Sequence, residues 1–181
     1  LGYRSIPASA QLIAGFQRET SALIDRVVFD DKRSYLDVFR SDQTYVDDAL
    51  ADHYGIPRPA GGLGWVTYPA ASKRAGLLSH GSVLAAFSKF TDTSPTQRGI
   101  LVRNRLLCLS IAPPPPTVMA DMPPGEGTAA CKKDRYLAHE ATTSCASCHS
   151  MSDPIGLGLE NFDIAGRWRD HDDGKPQCAI D

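Results

Sequence analysis

Apolar residues recur at helical spacing along much of this chain. Leu12, Ile13, Phe16, Leu23, Ile24, Val27 and Val28 line one face from about Ala8 to Phe29 and predict a first helix. Ser34 with Asp37 marks the start of a short second helix carrying Leu36 and Phe39. Thr44 with Asp47 reads as the cap of a third, running through Ala49 and Leu50 to a stop at Gly55, with Pro57 beyond. Over residues 56–70 the periodicity lapses, which predicts a loop with at most a short strand around Val66.

Helical spacing then returns. A helix is predicted over about Ser79–Ser88, and Ser94-Pro95 is a cap followed by proline at the first helical position. Ile100, Leu101, Leu106 and Leu107 give that helix its apolar face, and it must end by Ile111 because Pro113 to Pro116 form a tetraproline run. Such a run favours polyproline II and reads as a stiff connector, with docking to an aromatic-rich partner as the alternative. Residues 117–130 are a Pro-, Gly- and Ala-rich loop, and a helix from about Lys132 to Glu140 follows. Pro154, within Met151 to Gly156, is predicted to break the helix around residue 149. Leu157 to Asp163 and Gly166 to Arg169 follow as compact loop or short helix, and no internal repeat is evident.

Composition narrows the class. The chain of 181 residues is 42% apolar and 22% charged, which suits one globular domain, or one domain with an appended subdomain. Its net charge is −2 with no block of Lys or Arg, so neither nucleic acid nor an anionic membrane is an implied partner. No stretch approaches the ~20 apolar residues of a membrane span. The chain begins Leu1-Gly2-Tyr3-Arg4 without an initiator Met or a signal-like apolar core, and is read as a processed chain or a piece of a longer one.

One motif carries the chemistry. Cys145-Ala146-Ser147-Cys148-His149 is C-x-x-C-H, the attachment signature of c-type haem. The two thiols on one helical turn lie at the spacing of the porphyrin vinyl groups, and each can form a thioether. His149 follows directly and is the expected proximal iron ligand. Two other chemistries use similar residues. Thiol–disulfide exchange uses C-x-x-C, but the β-rich setting of that motif is missing. Zinc could draw on Cys131, His139, Cys145, Cys148 and His149, although the usual second C-x-x-C or H-x-x-x-H pair is absent.

Two of the five cysteines are assigned to haem, leaving Cys108, Cys131 and Cys178. Haem attachment of this kind takes place outside the bacterial cytoplasm, where disulfides persist. A periplasmic or extracellular location is therefore expected, with one disulfide among the three. Cys108–Cys131, bracketing the proline run, is the favoured pair, and the sequence does not choose finally.

The second axial position separates carrier from catalyst. Met151 is the only methionine after the motif, and from the same short helix it should not reach the opposite face of the ring. His139, His80, Met119, Met122, His171 and His53 remain candidates, as does an open position. Arg167, Arg169 and Trp168 are candidate partners for haem propionates, with Arg98 and Arg103 as second choices. Pro154 and Ile155 are expected to pack near the proximal side.

A family resemblance accompanies these motifs. Arg74 to Leu78, Thr93-Ser94-Pro95 with Arg98-Gly99, Leu106-Leu107-Cys108, the C-x-x-C-H run, Asp153-Pro154-Ile155-Gly156, and Leu159 to Asp163 with Gly166-Arg167 resemble one group. It is the large exported bacterial proteins that join several domains of unknown function to a c-type cytochrome segment. Thr44-Tyr45-Val46 and Leu50 to Gly55 resemble the end of the domain that precedes the haem-bearing one. The resemblance implies an exported redox protein of which this chain is the C-terminal portion. A His at the position of His139 is also common in the group, which favours it as a haem-pocket residue and leaves its role open. Ser152 departs from the group, whose members often carry Met there.

The expected fold is mainly α, with helices and long Pro/Gly-rich loops around one covalently bound haem c. Residues 1–55 form a helical segment, 56–71 a linker loop and 72–181 the haem domain. The leading expectation for function is one-electron transfer, with a redox partner protein or the remainder of a parent chain as partner. A peroxidase- or oxygenase-like enzyme with an open or weakly ligated distal site is the first alternative. An assembly module with structural haem is the second. Oligomeric state stays open.

Overall fold

The computed structural model describes residues 8–89, 91–113, 131–140 and 143–180, with the side chains of 138–140, 143 and 144 left aside. It is about 51% helical with a few short strands. The chain forms two compact units, Leu1–Asp92 with Phe162–Trp168, and Thr93–Asn161 with Arg169–Asp181.

In the first unit, helix α1 (Ala10–Ile24) begins at Ser9, whose side chain accepts from the Leu12 N–H, and runs on as a π-helical turn through Asp30. Ser34 caps the next element as expected, but it is a 3-10 turn, Tyr35–Phe39, in which Val38 rather than Leu36 is buried. Thr44 is not a cap. It lies in strand β1 (Gln43–Asp47), which buries alternate residues, and Asp47 caps helix α2 (Asp48–Tyr54) instead. Thr44 and Val46 are the inward positions of that strand, and β-branched side chains suit a pleated, half-buried surface. Gly55 ends α2 in the left-handed region, with φ 67°. Strand β2 (Leu63–Thr67) pairs antiparallel with β1, setting Tyr45 opposite Trp65, so the segment expected as loop contains the strand around Val66. Helix α3 (Gly81–Ala86) follows a 3-10 turn at Leu77–Ser79.

The apolar core of this unit is Phe16, Val46, Leu50, Ala51, Tyr54, Ile56 and Tyr68, with a second cluster of Leu23, Val27 and Val38. A polar knot is buried beside it. Glu19, fully buried, accepts from the Thr44 hydroxyl at 2.6 Å, from Tyr54 at 2.8 Å and from Tyr68 at 3.2 Å. His80 lies 3.7 Å from the same carboxylate and bonds Thr20 through Nδ1 at 3.0 Å. Arg74 stacks 3.7 Å over the Tyr54 ring and donates to the carbonyls of Ser79 and Gly166. Each hydroxyl that satisfies Glu19 avoids the cost of an unpaired buried carboxylate.

Burial holds the His80 imidazole below the usual histidine range, with Glu19 opposing and Arg74 reinforcing. Burial lowers His53 as well, against a hydrogen bond to the Ala165 carbonyl. The unfolded chain takes up protons at these histidines near pH 6.5 while the folded chain resists, so stability falls as pH drops below that value. The urea midpoint is expected to fall between pH 7 and pH 5, and His80→Gln to flatten the fall. An equal slope in the variant would show that His80 does not set it.

In the second unit, helix α4 (Pro95–Ile100) starts at Ser94 with proline in its first turn, as predicted, and continues as a π-helical turn to Leu106. Helix α5 spans Lys132–Glu140, the range expected. Helix α6 spans Thr143–Leu157 and passes through Pro154, so the predicted break does not occur there. Two features hold the turn that proline weakens. His149 bonds Asp153 across it, and the backbone of Gly156 lies against the backbone of Pro95 on α4. Beyond Arg169, where the sequence reading assigned no element, the chain forms a hairpin of β3 (His171–Asp172) and β4 (Lys175–Ala179).

The disulfide joins Cys131 to Cys178, not to Cys108. Cys178 is the inward residue of β4, whereas Cys108 is exposed just beyond the end of the π-helical turn. Nearness in sequence across the proline run was no guide, because the hairpin brings a partner from 47 residues away. Pro114 to Pro116 lie outside the described residues. Among those described, no helix is long and apolar enough to cross a membrane.

Candidate functional site

Helix α6 carries Cys145, Cys148 and His149, with both cysteines half-buried and neither in the disulfide. The helix is placed by close packing on α4. A Cβ on Gly156 would collide with the Pro95 backbone, and one on Gly99 would lie 2.6 Å from the Ser152 carbonyl carbon. Small residues let two helix backbones approach that closely. Arg103 then donates toward the Met151 sulfur at 3.5 Å. Pro95 against Gly156, Gly99 against Ser152 and Arg103 against Met151 describe an antiparallel pair. Beyond Arg103 that run carries the exposed Leu106 and Leu107 toward the Cys145 end of α6.

The His149 ring is oriented by the helix itself. Its Nδ1 lies 2.7 Å from Oδ2 of Asp153, one turn on, and Asp153 is fully buried while the His149 side chain keeps 24% exposure. Asp153 Oδ1 accepts from the Ser152 hydroxyl at 3.0 Å. A carboxylate on one ring nitrogen fixes the tautomer and leaves Nε2 as the nitrogen able to coordinate a metal. Two thiols one turn apart and an oriented imidazole suit c-type haem attachment. Zinc is poorly served, since Cys131 is committed to the disulfide. Among the described residues, no three His, Cys, Asp or Glu gather as a metal set.

The remaining candidates are placed as follows. His80 is buried in the first unit with Thr20 and Glu19, and His53 donates from Nε2 to the Ala165 carbonyl there, while His171 is exposed on β3. Met119 and Met122 lie outside the described residues, as does the His139 side chain, although α5 carries that position. Arg167 is exposed, and Trp168 meets Phe162 edge-on at 5.2 Å, both in the first unit. Pro154 is exposed and Ile155 half-buried on α6.

Arg169 and Arg98 have a different task. Both are directed at the buried Glu160, at 2.9 and 3.3 Å, together with Lys132 at 3.3 Å and the Thr93 hydroxyl. Arg103 is directed elsewhere, at the Met151 sulfur on α6. Asp153 was missed as a site residue by the sequence reading. Its signal was the spacing of four from His149, one helical turn, hidden by the expectation that Pro154 ended the helix.

A family model described as protein of unknown function (DUF1588), PSCyt3, matches residues 74–172. A second, described as protein of unknown function (DUF1592), PSD4, matches residues 3–56. Both are domains of unknown function found in exported proteins that contain cytochrome c. No curated protein and no solved structure matches the chain.

Proposed function

We propose a function from one premise: the chain belongs to the family described as protein of unknown function DUF1588. On this reading it is an exported mono-haem c-type module that transfers single electrons. The observation that carries it is C-x-x-C-H on one unbroken helix, with both thiols outside the disulfide and His149 oriented by a carboxylate. Cys145 and Cys148 would anchor haem c, and His149 Nε2 would coordinate its iron. Bound haem supplies the centre that accepts one electron from a donor and passes it to an acceptor.

Other residues support the same placement. Leu106 at the end of the π-helical turn and Leu137 on α5 are exposed apolar side chains on elements packed against α6, and the exposed Leu107 and Leu109 follow just beyond that turn. A porphyrin against that end of the helix would cover part of them. Arg103, whose guanidinium reaches Met151 on α6 itself while Arg169 and Arg98 are engaged by Glu160, is the guanidinium assigned to a propionate. The Cys131–Cys178 disulfide supports an oxidising compartment.

The test is a visible spectrum of the full chain matured in an exporting host, taken oxidised, reduced, and reduced with carbon monoxide. Sharp reduced c-type bands that survive denaturation, and are lost in Cys145→Ser with Cys148→Ser, are expected. Bands unchanged by the gas identify an electron carrier, whereas a clear shift moves the enzyme ahead. A chain without haem bands overturns the proposal.

A further inference from the structure

The contact between His149 and Asp153 deepens the haem reading and rests on it. We propose that Asp153 is a positioning residue that holds the His149 ring through Nδ1 and lowers the reduction potential of the iron, and that Ser152 moderates it.

The geometry separates this pair from an ordinary surface ion pair. His149 and Asp153 stand four apart on α6 with Nδ1 and Oδ2 at 2.7 Å, within the range of a charge-assisted bond. Asp153 has no exposed surface, so water does not compete for its oxygens. A buried carboxylate kept beside one imidazole polarises the Nδ1–H bond and raises electron density at Nε2. A more electron-rich axial nitrogen favours ferric over ferrous iron, which places the potential lower than a neutral acceptor would.

Ser152 supplies the counterweight. Its hydroxyl has one proton and two acceptors in reach, Asp153 Oδ1 at 3.0 Å and the Cys148 carbonyl at 3.5 Å. The shorter contact takes it. That bond draws density from the carboxylate and weakens its hold on the ring. Ser152 is itself only 2% exposed and its backbone is wedged against Gly99, so the donor is fixed. The two residues therefore push the potential in opposite directions.

The experiment is a redox titration of the full haem-loaded chain with Asp153→Asn and Ser152→Ala. Asparagine can still accept from Nδ1–H but lacks the charge, so the midpoint is expected to rise. Alanine removes the donor to Asp153, so the midpoint is expected to fall. A merely structural i,i+4 pair would alter melting and leave both midpoints in place, and that result overturns the proposal. Shifts of the same sign in both variants overturn it too. If Asp153→Asn does not fold, Ser152→Ala decides alone: a lowered midpoint supports the proposal and an unchanged one overturns it. Failure of the underlying haem reading shows separately, as a wild-type chain that carries no haem at all.

Discussion

Gly156→Ala is expected to destabilise the protein at the upper end of the ~1–3 kcal/mol typical of overpacked cores, and Gly99→Ala to do likewise. Helix propensity alone predicts the opposite, since alanine is favoured over glycine inside a helix by about 1 kcal/mol. What decides the sign is the neighbour. At Gly156 the new Cβ would fall on the backbone of Pro95, with its Cα 2.8 Å away, and at Gly99 on the backbone of Ser152. A side-chain tip could swing aside, but a peptide group on a packed helix cannot. The helices α4 and α6 must separate, and α6 is the element that carries Cys145, Cys148, His149 and Asp153. Gly15 is the control: on α1 its nearest neighbour is 3.5 Å away, an ordinary contact with Leu50, so Gly15→Ala should be tolerated or mildly stabilising. Urea midpoints of the three variants measure this directly. A Gly156→Ala chain as stable as Gly15→Ala would show that the two helices have room to adjust.

Local chemistry was legible where one residue type dictates one conformation. Ser94-Pro95 opens α4, Gly55 ends α2, and Lys132 to Glu140 forms a helix, all as expected. The expectations that differ are those a tertiary partner decides. Thr44 and Asp47 have capping spacing, but a strand partner in residues 63–67 claims Thr44 for a sheet and leaves Asp47 to cap. Pro154 weakens a helix, yet contacts to α4 and to His149 keep it intact, and the paired glycines that allow this read as mere breakers in isolation. The disulfide partner of Cys131 depended on a hairpin that has no strong strand signal: Lys175 to Ala179 contains a proline and only one inward residue. At the site, the C-x-x-C-H run was plain because its meaning lies in spacing alone. Arg169 and Arg98 were read as propionate partners because arginine seeks carboxylates, and the carboxylate they found belongs to the chain itself.

That carboxylate sets the second large effect. Glu160→Gln is expected to cost about 3–5 kcal/mol, the range for breaking a buried ion pair by removing one partner. Glu160 is 3% exposed, Arg98 1% and Lys132 4%, so these charges have little water to solvate them. Arg169 adds a third cation, which also bridges to the more exposed Asp173 at 2.8 Å. Glutamine preserves shape and most hydrogen bonds, with Arg98 still held by the Leu159 carbonyl at 2.8 Å. What it removes is a buried negative charge that faces these three cations, and their mutual repulsion then acts in a poorly screened interior. Thr93→Val tests the alternative that hydrogen bonding, not charge, holds the cluster. It deletes a hydroxyl bonded to Glu160, Lys132 and Arg169 and should cost roughly 1 kcal/mol. Asp52→Asn, which breaks the solvent-exposed pair with Arg58, should change the midpoint little. Urea denaturation of the three variants ranks them, and a Glu160→Gln loss no larger than that of Thr93→Val would reduce the cluster to a set of interchangeable hydrogen bonds. The expected order instead makes Glu160 the charge that allows Arg98, Lys132 and Arg169 to be buried together, joining α4, the start of α5 and the segment leading to the hairpin around helix α6.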